Sequence, residues 1–343
     1  MPDYAAEFAQ KIRSQPLRHR LRVASFNFLS TLSTLHYRFS PGSNRTDTIV
    51  VDPRLKPPTY RYRNLRGPWI ERAFFRYWSQ FALDNNPSHY LPIFFDSIFF
   101  HAQVHKYTPS QFDSIQKLLR QTLDKIDPSL PCFTVLGMYD FPIWDWHLFP
   151  DNVVVYSAAG GGDIPIPLLS GDRPFRSDPK DLLISFMGSL DGASNAGGVR
   201  RRMADALRDF AYFGQGPDWE KVMGRSTFSL CPRGQAPASF RLFEAMSLGS
   251  IPIYIWEGVE WLPYQDELDW SKFSISIHVD HVEQLPSIIG QLTASRIAEM
   301  QQYIAEIFPK YFTIRATSQY ILRHSQSLRA LEAVHKITSR RFT

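Results

Sequence analysis

Apolar and polar positions along the chain alternate between two rhythms. Short, mostly apolar runs, several bounded by Gly or Pro, predict buried strands at about 89–95, 132–136, 152–156, 182–188, 226–231, 251–255 and 275–279. Runs with apolar residues near a 3.6 period predict helices between them. Ile70, Phe74, Tyr77 and Trp78 mark one after Gly67-Pro68-Trp69. Phe112, Ile115, Leu118, Leu119 and Leu123 mark another over 109–126. Leu242, Phe243, Met246 and Leu248 form a third, with Ser239 placed to cap it and Gly249 placed to end it. Further helices are predicted over 199–209, 285–292, 294–308 and 312–336. Residues 1–22 read as an amphipathic arm, and 41–66, rich in Pro, Arg, Tyr and Asn, as a long loop. Alternating strands and helices imply an α/β fold of Rossmann-like units. A linker rich in Pro, Gly and charge, about 168–180, divides it in two.

The most informative stretch is 226–273. A strand ends at Pro232-Arg233-Gly234, and the helix that follows carries Ser239, Arg241 and, three residues on, Glu244. A helix N-terminus with two arginines is a natural seat for a diphosphate. A carboxylate one turn further along can accept hydrogen bonds from the vicinal hydroxyls of a ribose. A second anion cradle is predicted where Gly188 and the Gly-, Ser- and Asn-rich stretch 191–198 feed a helix opening Val-Arg-Arg-Arg. It is not the G-x-G-x-x-G fingerprint of dinucleotide binding. Arg200, Arg201 and Arg202 cannot all share one face, so at least one faces solvent.

At these residues the chain resembles the exostosin family of glycosyltransferases. The string Pro232-Arg233-Gly234, Ser239-Phe240-Arg241, Glu244-Ala245, Ser250-Ile251-Pro252-Ile253, Leu262-Pro263-Tyr264 and Asp269-Trp270-Ser271-Lys272-Phe273 carries the resemblance. Asp163-Ile164-Pro165-Ile166-Pro167 and Gly67-Pro68-Trp69 add weaker matches. The resemblance implies two Rossmann-like domains facing a cleft, the GT-B arrangement. The expected division is an acceptor-side domain over 1–168, a nucleotide-sugar domain over 181–312, and a helix over 313–343 that crosses back to the first domain. It further implies inverting transfer of a sugar from UDP-sugar to a hydroxyl of an oligosaccharide or glycoconjugate, in polysaccharide or glycoconjugate synthesis. Gly188, Arg200, Arg233, Ser239, Arg241, Glu244 and Glu260 are the expected donor-binding residues. Arginines and backbone N–H groups would meet the leaving charge, so no metal or other cofactor is expected. The candidate base is Asp140, after the strand at 132–136, then Asp96; His101, His105 and His147 are weaker candidates. Two other readings stay open: transfer from GDP-sugar, and a catalytically inactive exostosin-like subunit that binds glycan or a partner transferase.

Composition narrows the setting. Two cysteines, Cys132 and Cys231, exclude a disulfide framework, and both read as core thiols. No run approaches the roughly 18 apolar residues of a spanning helix, and no signal peptide is recognisable, so a cytoplasmic enzyme is expected. The net charge of +5 is modest, and no nucleic-acid partner is expected. Lys11, Arg13, Arg18, His19, Arg20 and Arg22 concentrate part of it. They read either as a solvated face or as a peripheral contact with an anionic membrane surface or lipid-diphosphate acceptor.

Overall fold

The computed structural model describes residues 48–57, 69–82, 86–104, 107–137, 149–191 and 198–327. The chain divides into two units, 1–157 with 161–164 and 318–343, and 158–160 with 165–317.

The first unit holds α1 (Ile70–Phe81), β1 (His89–Tyr90), α2 (Phe95–Val104), α3 (Pro109–Leu123), β2 (Cys132–Leu136), β3 (Val153–Ser157) and β4 (Ile164–Pro165). Its sheet has the order β1-β2-β3-β4, with β1–β2 and β2–β3 parallel. Both faces are covered, which is why β2 and β3 read as unbroken apolar runs. On one face Cys132, Leu136, Val153 and Val155 join a core with Phe95, Ile98, Ile115 and Leu119 from α2 and α3. On the other, Phe133 meets Trp78 and Phe74 of α1 at centroid distances of 5.4 and 5.9 Å, and Tyr156 at 5.8 Å. Helix α3 starts at a full capping box, Thr108 with Gln111.

The apolar run 89–95 is the main departure from the sequence pattern. Only His89–Tyr90 pair as strand; Pro92 has no N–H for a ladder, and α2 begins at Phe95. Leu91, Ile93 and Phe94 are buried all the same, so burial imitated a longer strand.

The second unit holds β5 (Leu182–Met187), α4 (Val199–Ala206), β6 (Tyr212–Gly214), α5 (Trp219–Arg225), β7 (Ser226–Pro232), α6 (Phe240–Ser247), β8 (Ile251–Trp256), β9 (Ile275–His278), α7 (Leu285–Gly290), α8 (Ala294–Tyr311) and the start of α9 (Ile314–Ser327). All five strands are parallel, in the order β6-β5-β7-β8-β9. The expected α/β class and parallel Rossmann-like sheets are therefore present in both units. Apart from 158–160, the second unit runs from Pro165, upstream of the linker at 168–180. Strand β6 and helix α5 have no counterpart in the sequence reading.

Several motif residues turn out to be framework. Trp270 Nε1 donates to the Pro263 carbonyl at 2.7 Å, and Tyr264 donates its hydroxyl to the Tyr311 carbonyl at 3.1 Å. Tyr264 holds φ at 59°, and Phe273 is fully buried beside Phe312. Leu-Pro-Tyr and Asp-Trp-Ser-Lys-Phe thus tie the loop after β8 to α8. Gly249 ends α6 at φ 63°, where a Cβ would lie 2.9 Å from that of Ser177. Gly249→Ala combines a left-handed backbone with overlap and should cost about 2 kcal/mol in urea unfolding.

Candidate donor site

The second unit's strands are parallel, so their C-terminal ends share one edge of the sheet, where α/β folds bind ligands. Three guanidinium groups converge there. Arg241, in the first turn of α6, donates Nε–H to the Met187 carbonyl at the end of β5 (2.9 Å), and pairs with Glu244. Arg200, in the first turn of α4, reaches the carbonyls of Ser189 (2.9 Å) and Arg233 (3.4 Å), and lies 5.7 Å above the Phe186 ring. Arg233, directly after β7, donates to the carbonyls of Glu257 (3.1 Å) and Gln235 (3.0 Å). Its buried Nε–H has no acceptor among the described residues.

Burial, and then the positive charge of Arg241, lower the pKa of Arg200 to about 10. The group stays protonated at neutral pH, held at a cost that a bound anion would relieve. Of the three consecutive arginines, Arg200 alone turns inward. Arg201 pairs with Asp191, and Arg202 pairs with Glu257 and, at 2.7 Å, Asp280.

Glu244 is buried, its side chain 8% exposed. One oxygen faces Arg241. The other lies 3.6 Å from Arg173 and accepts from Ser170 Oγ at 3.5 Å. Arg173 and Ser170 come from the segment that follows β4, and sequence reasoning did not find them. No local signal points to either; only the fold carries that segment back to α6.

Other expected residues take different roles. Ser239 stands at the N-cap position of α6, but its side chain makes no capping bond. The N–H of Gly188 is already donated to Gly214 at 2.9 Å, which joins β5 to β6 and removes it as an anion ligand. Glu260 is exposed and accepts from Ser276 Oγ on β9. In its loop the Glu257 carbonyl accepts from Arg233, and the Glu257 carboxylate pairs with Arg202. Cys231 is buried and free, its thiol pKa pushed up by burial. Cys132 is also buried, its pKa raised to about 11 by burial and then by the charge of Asp127.

In the first unit, Asp96 is fully buried in the first turn of α2. Its backbone N–H donates to both oxygens of Glu71, at 3.2 and 3.1 Å. A carboxylate with no accessible surface does not meet an acceptor hydroxyl, so Asp96 is withdrawn as a base and belongs to an internal acid pair. His101 bonds the Tyr107 hydroxyl at 2.9 Å through Nδ1. Asp140, His105, His147, the stretch 192–197 and the basic segment before residue 23 lie outside the described residues. Among the described residues no group of three or more His, Cys, Asp or Glu is placed to hold a metal ion, and no helix is long and apolar enough to cross a membrane.

Residues 159–292 match the family model of the Exostosin GT47 domain. Drosophila melanogaster Exostosin-1 is 33% identical over 96 residues, 28% of this chain and 12% of that protein. A probable glucuronosyltransferase of Oryza sativa subsp. japonica is 30% identical over 139 residues, 37% of this chain and 33% of that protein. The matched region thus spans a third or less of these two relatives' lengths. Among solved structures, Anabaena HepE in complex with UDP and glucose aligns at 10% identity and a TM-score of 0.41, over 76% of this chain and 81% of that one.

Most of the region that matches the Exostosin GT47 domain model falls in the second unit, the one with the arginine-lined edge. The string from Pro232 to Phe273 lies within that matched region.

Proposed function

We propose that the protein transfers a sugar from a UDP-sugar to a hydroxyl of a glycan acceptor, with inversion and without a divalent metal. The convergence of Arg200, Arg233 and Arg241 at the ends of β5, β7 and β8, beside Glu244, is the observation that carries this reading. Departure of a nucleoside diphosphate leaves charge on its phosphate oxygens. Three fixed guanidiniums can take up that charge as it develops, with little reorganisation. Arg233 has a buried donor to spare. Glu244 holds Arg241 in place and would accept from the ribose hydroxyls. The acceptor hydroxyl must lose a proton as the new bond forms, and Asp140 is the proposed base. The names of the relatives, exostosin and glucuronosyltransferase, support sugar transfer as the class of reaction.

Calorimetric titration with UDP, GDP, ADP and CMP, each with EDTA and with Mg²⁺, tests the donor. UDP should bind selectively and equally well in both conditions. Arg200→Met should weaken UDP binding by about 2 kcal/mol, as expected for one charged hydrogen-bonding group. It should leave Tm unchanged or raised, because the lost cation was buried beside another. A protein that binds none of the four nucleotides is not a nucleotide-sugar enzyme, and the inactive-subunit reading replaces this one.

A further inference from the structure

The donor site as described leaves a side chain unexplained beside its central arginine. Trp219, the first residue of α5, is half-buried, and the Arg241 guanidinium carbon lies 4.2 Å from its ring centroid. The Arg173 guanidinium lies over the same ring, at 5.0 Å. Both arginines meet Glu244. Glu220, the next residue of α5, holds Arg173 at 2.7 Å and also reaches Arg176 at 3.4 Å. One indole therefore sits against the two cations that flank one carboxylate.

We infer that Trp219 and Arg173 are positioning residues for the donor site: they fix the Arg241–Glu244 pair in the orientation that receives the nucleotide. This rests on the donor reading above and adds residues to it.

The argument is geometric and electrostatic. Arg241 and Glu244 lie one turn apart on α6. Such a pair on an open helix is loose and of little worth. Here the guanidinium is fixed by three different partners: the Met187 carbonyl, the Glu244 carboxylate and the face of Trp219. Fixing its plane fixes which N–H groups point outward. Planar recognition of phosphate depends on that direction. Arg173 does the same for Glu244 from the other side. With Arg173 present the carboxylate need not turn wholly toward Arg241, and one oxygen stays oriented by Arg173 and Ser170. The aromatic face suits this task because it attracts a cation without offering a carboxylate that would compete with the incoming diphosphate.

The test uses the full chain and UDP as probe, with four variants measured by calorimetry and thermal unfolding. Trp219→Leu removes the aromatic face and keeps an apolar side chain. Trp219→Phe keeps a face. Arg173→Gln removes the second cation, and Glu220→Gln loosens Arg173 from the exposed side. UDP should bind about tenfold more weakly to Trp219→Leu, and Trp219→Phe should recover most of that loss. Arg173→Gln should weaken binding several-fold, and Glu220→Gln by less, both without a large fall in Tm. Rescue by Phe supports a role for the π face, and the Arg173 and Glu220 variants, which leave the indole in place, separate positioning from simple packing. If Trp219→Leu fails to fold, Arg173→Gln and Glu220→Gln decide the matter. Unchanged UDP affinity in Arg173→Gln, or equal affinity in the Leu and Phe variants, overturns the inference. Absence of UDP binding in the wild-type chain overturns the donor reading itself, which is a separate result.

Discussion

Replacing Arg241 by alanine will destabilise the second unit and weaken nucleotide binding about thirtyfold. The two losses have different origins. Glu244 is left with a side chain only 8% exposed and its nearer cation gone. Breaking a buried ion pair from one side costs about 3–5 kcal/mol; Arg173 stays near the other oxygen, so the low end, about 3 kcal/mol, is expected. Binding loses its central guanidinium, about another 2 kcal/mol for a charge-assisted contact. The double variant Arg241→Ala/Glu244→Gln separates them. Removing both charges should restore most of the stability in urea unfolding while UDP binding stays weak. If the double variant is as unstable as the single one, the pair is not the source of the instability. If Arg241→Ala still binds UDP normally, the diphosphate sits elsewhere.

The second large effect concerns the first unit, where Glu71→Ala should cost 4 kcal/mol or more, or prevent folding. Glu71 is fully buried and accepts from the backbone N–H groups of Asp96, Gly137 and Phe95. Alanine leaves all three without a partner, at roughly 1–3 kcal/mol each. Gly137 adds a steric reason for the arrangement, since a side chain there would overlap the Asp96 carboxylate. The isosteric Glu71→Gln keeps an acceptor and should be tolerated. Its pH dependence is the finer test. Burial, and then the charge of Asp96, raise the Glu71 pKa well above its ordinary value of 4.5. A raised carboxyl pKa means the folded state holds the proton longer than the unfolded chain. The stability from the protonated form is complete below about pH 4.5 and is lost as pH rises through the folded-state value. Wild-type Tm should therefore fall relative to Glu71→Gln as pH rises from about 4.5 to the folded-state value, and stay level beyond it. A constant difference between the two across that range would mean that the fold does not raise the Glu71 pKa.

The sequence made the second unit far more legible than the first. Strands β7 and β8 are short apolar runs that abut Pro and Gly, and α6 between them shows its period and its terminal glycine. Apart from the cap at Ser239, the local cues there agree with the tertiary structure. The run at 89–95 misled because a buried extended segment and a buried strand have the same composition; the ladder ends at Tyr90, and no periodicity marks that end. Strand β6 escaped notice for the opposite reason: it is an edge strand of three residues, and Tyr212 is half exposed. The site shows the same division. Arg233, Arg241 and Glu244 were legible because one local string carries them. Arg173, Ser170 and Trp219 were not, because they reach Glu244 and Arg241 only through the fold. Ser239 looked like a helix cap by position, yet its hydroxyl does not cap. Glu260 looked like a ligand, yet its carboxylate turns to Ser276.

Helix α9 has a consequence for the order in which the protein can be built. Its first residues belong to the second unit, where Thr317 Oγ1 accepts from the Tyr264 hydroxyl at 3.1 Å. Its later residues belong to the first, where His324 bonds the Tyr156 hydroxyl at 2.9 Å and the Ser325 carbonyl accepts from Ser88 at 2.6 Å. A ribosome adds about 5–20 residues per second, N-terminus first. The unit that starts first is therefore completed last. Its sheet must wait, with one face short of a helix, until the whole of 165–317 has been synthesised. The donor-site unit is contiguous apart from residues 158–160, so it can close before its predecessor does. A nascent chain arrested before residue 318 should then protect 165–317 from protease while leaving β2 and β3 open to cleavage.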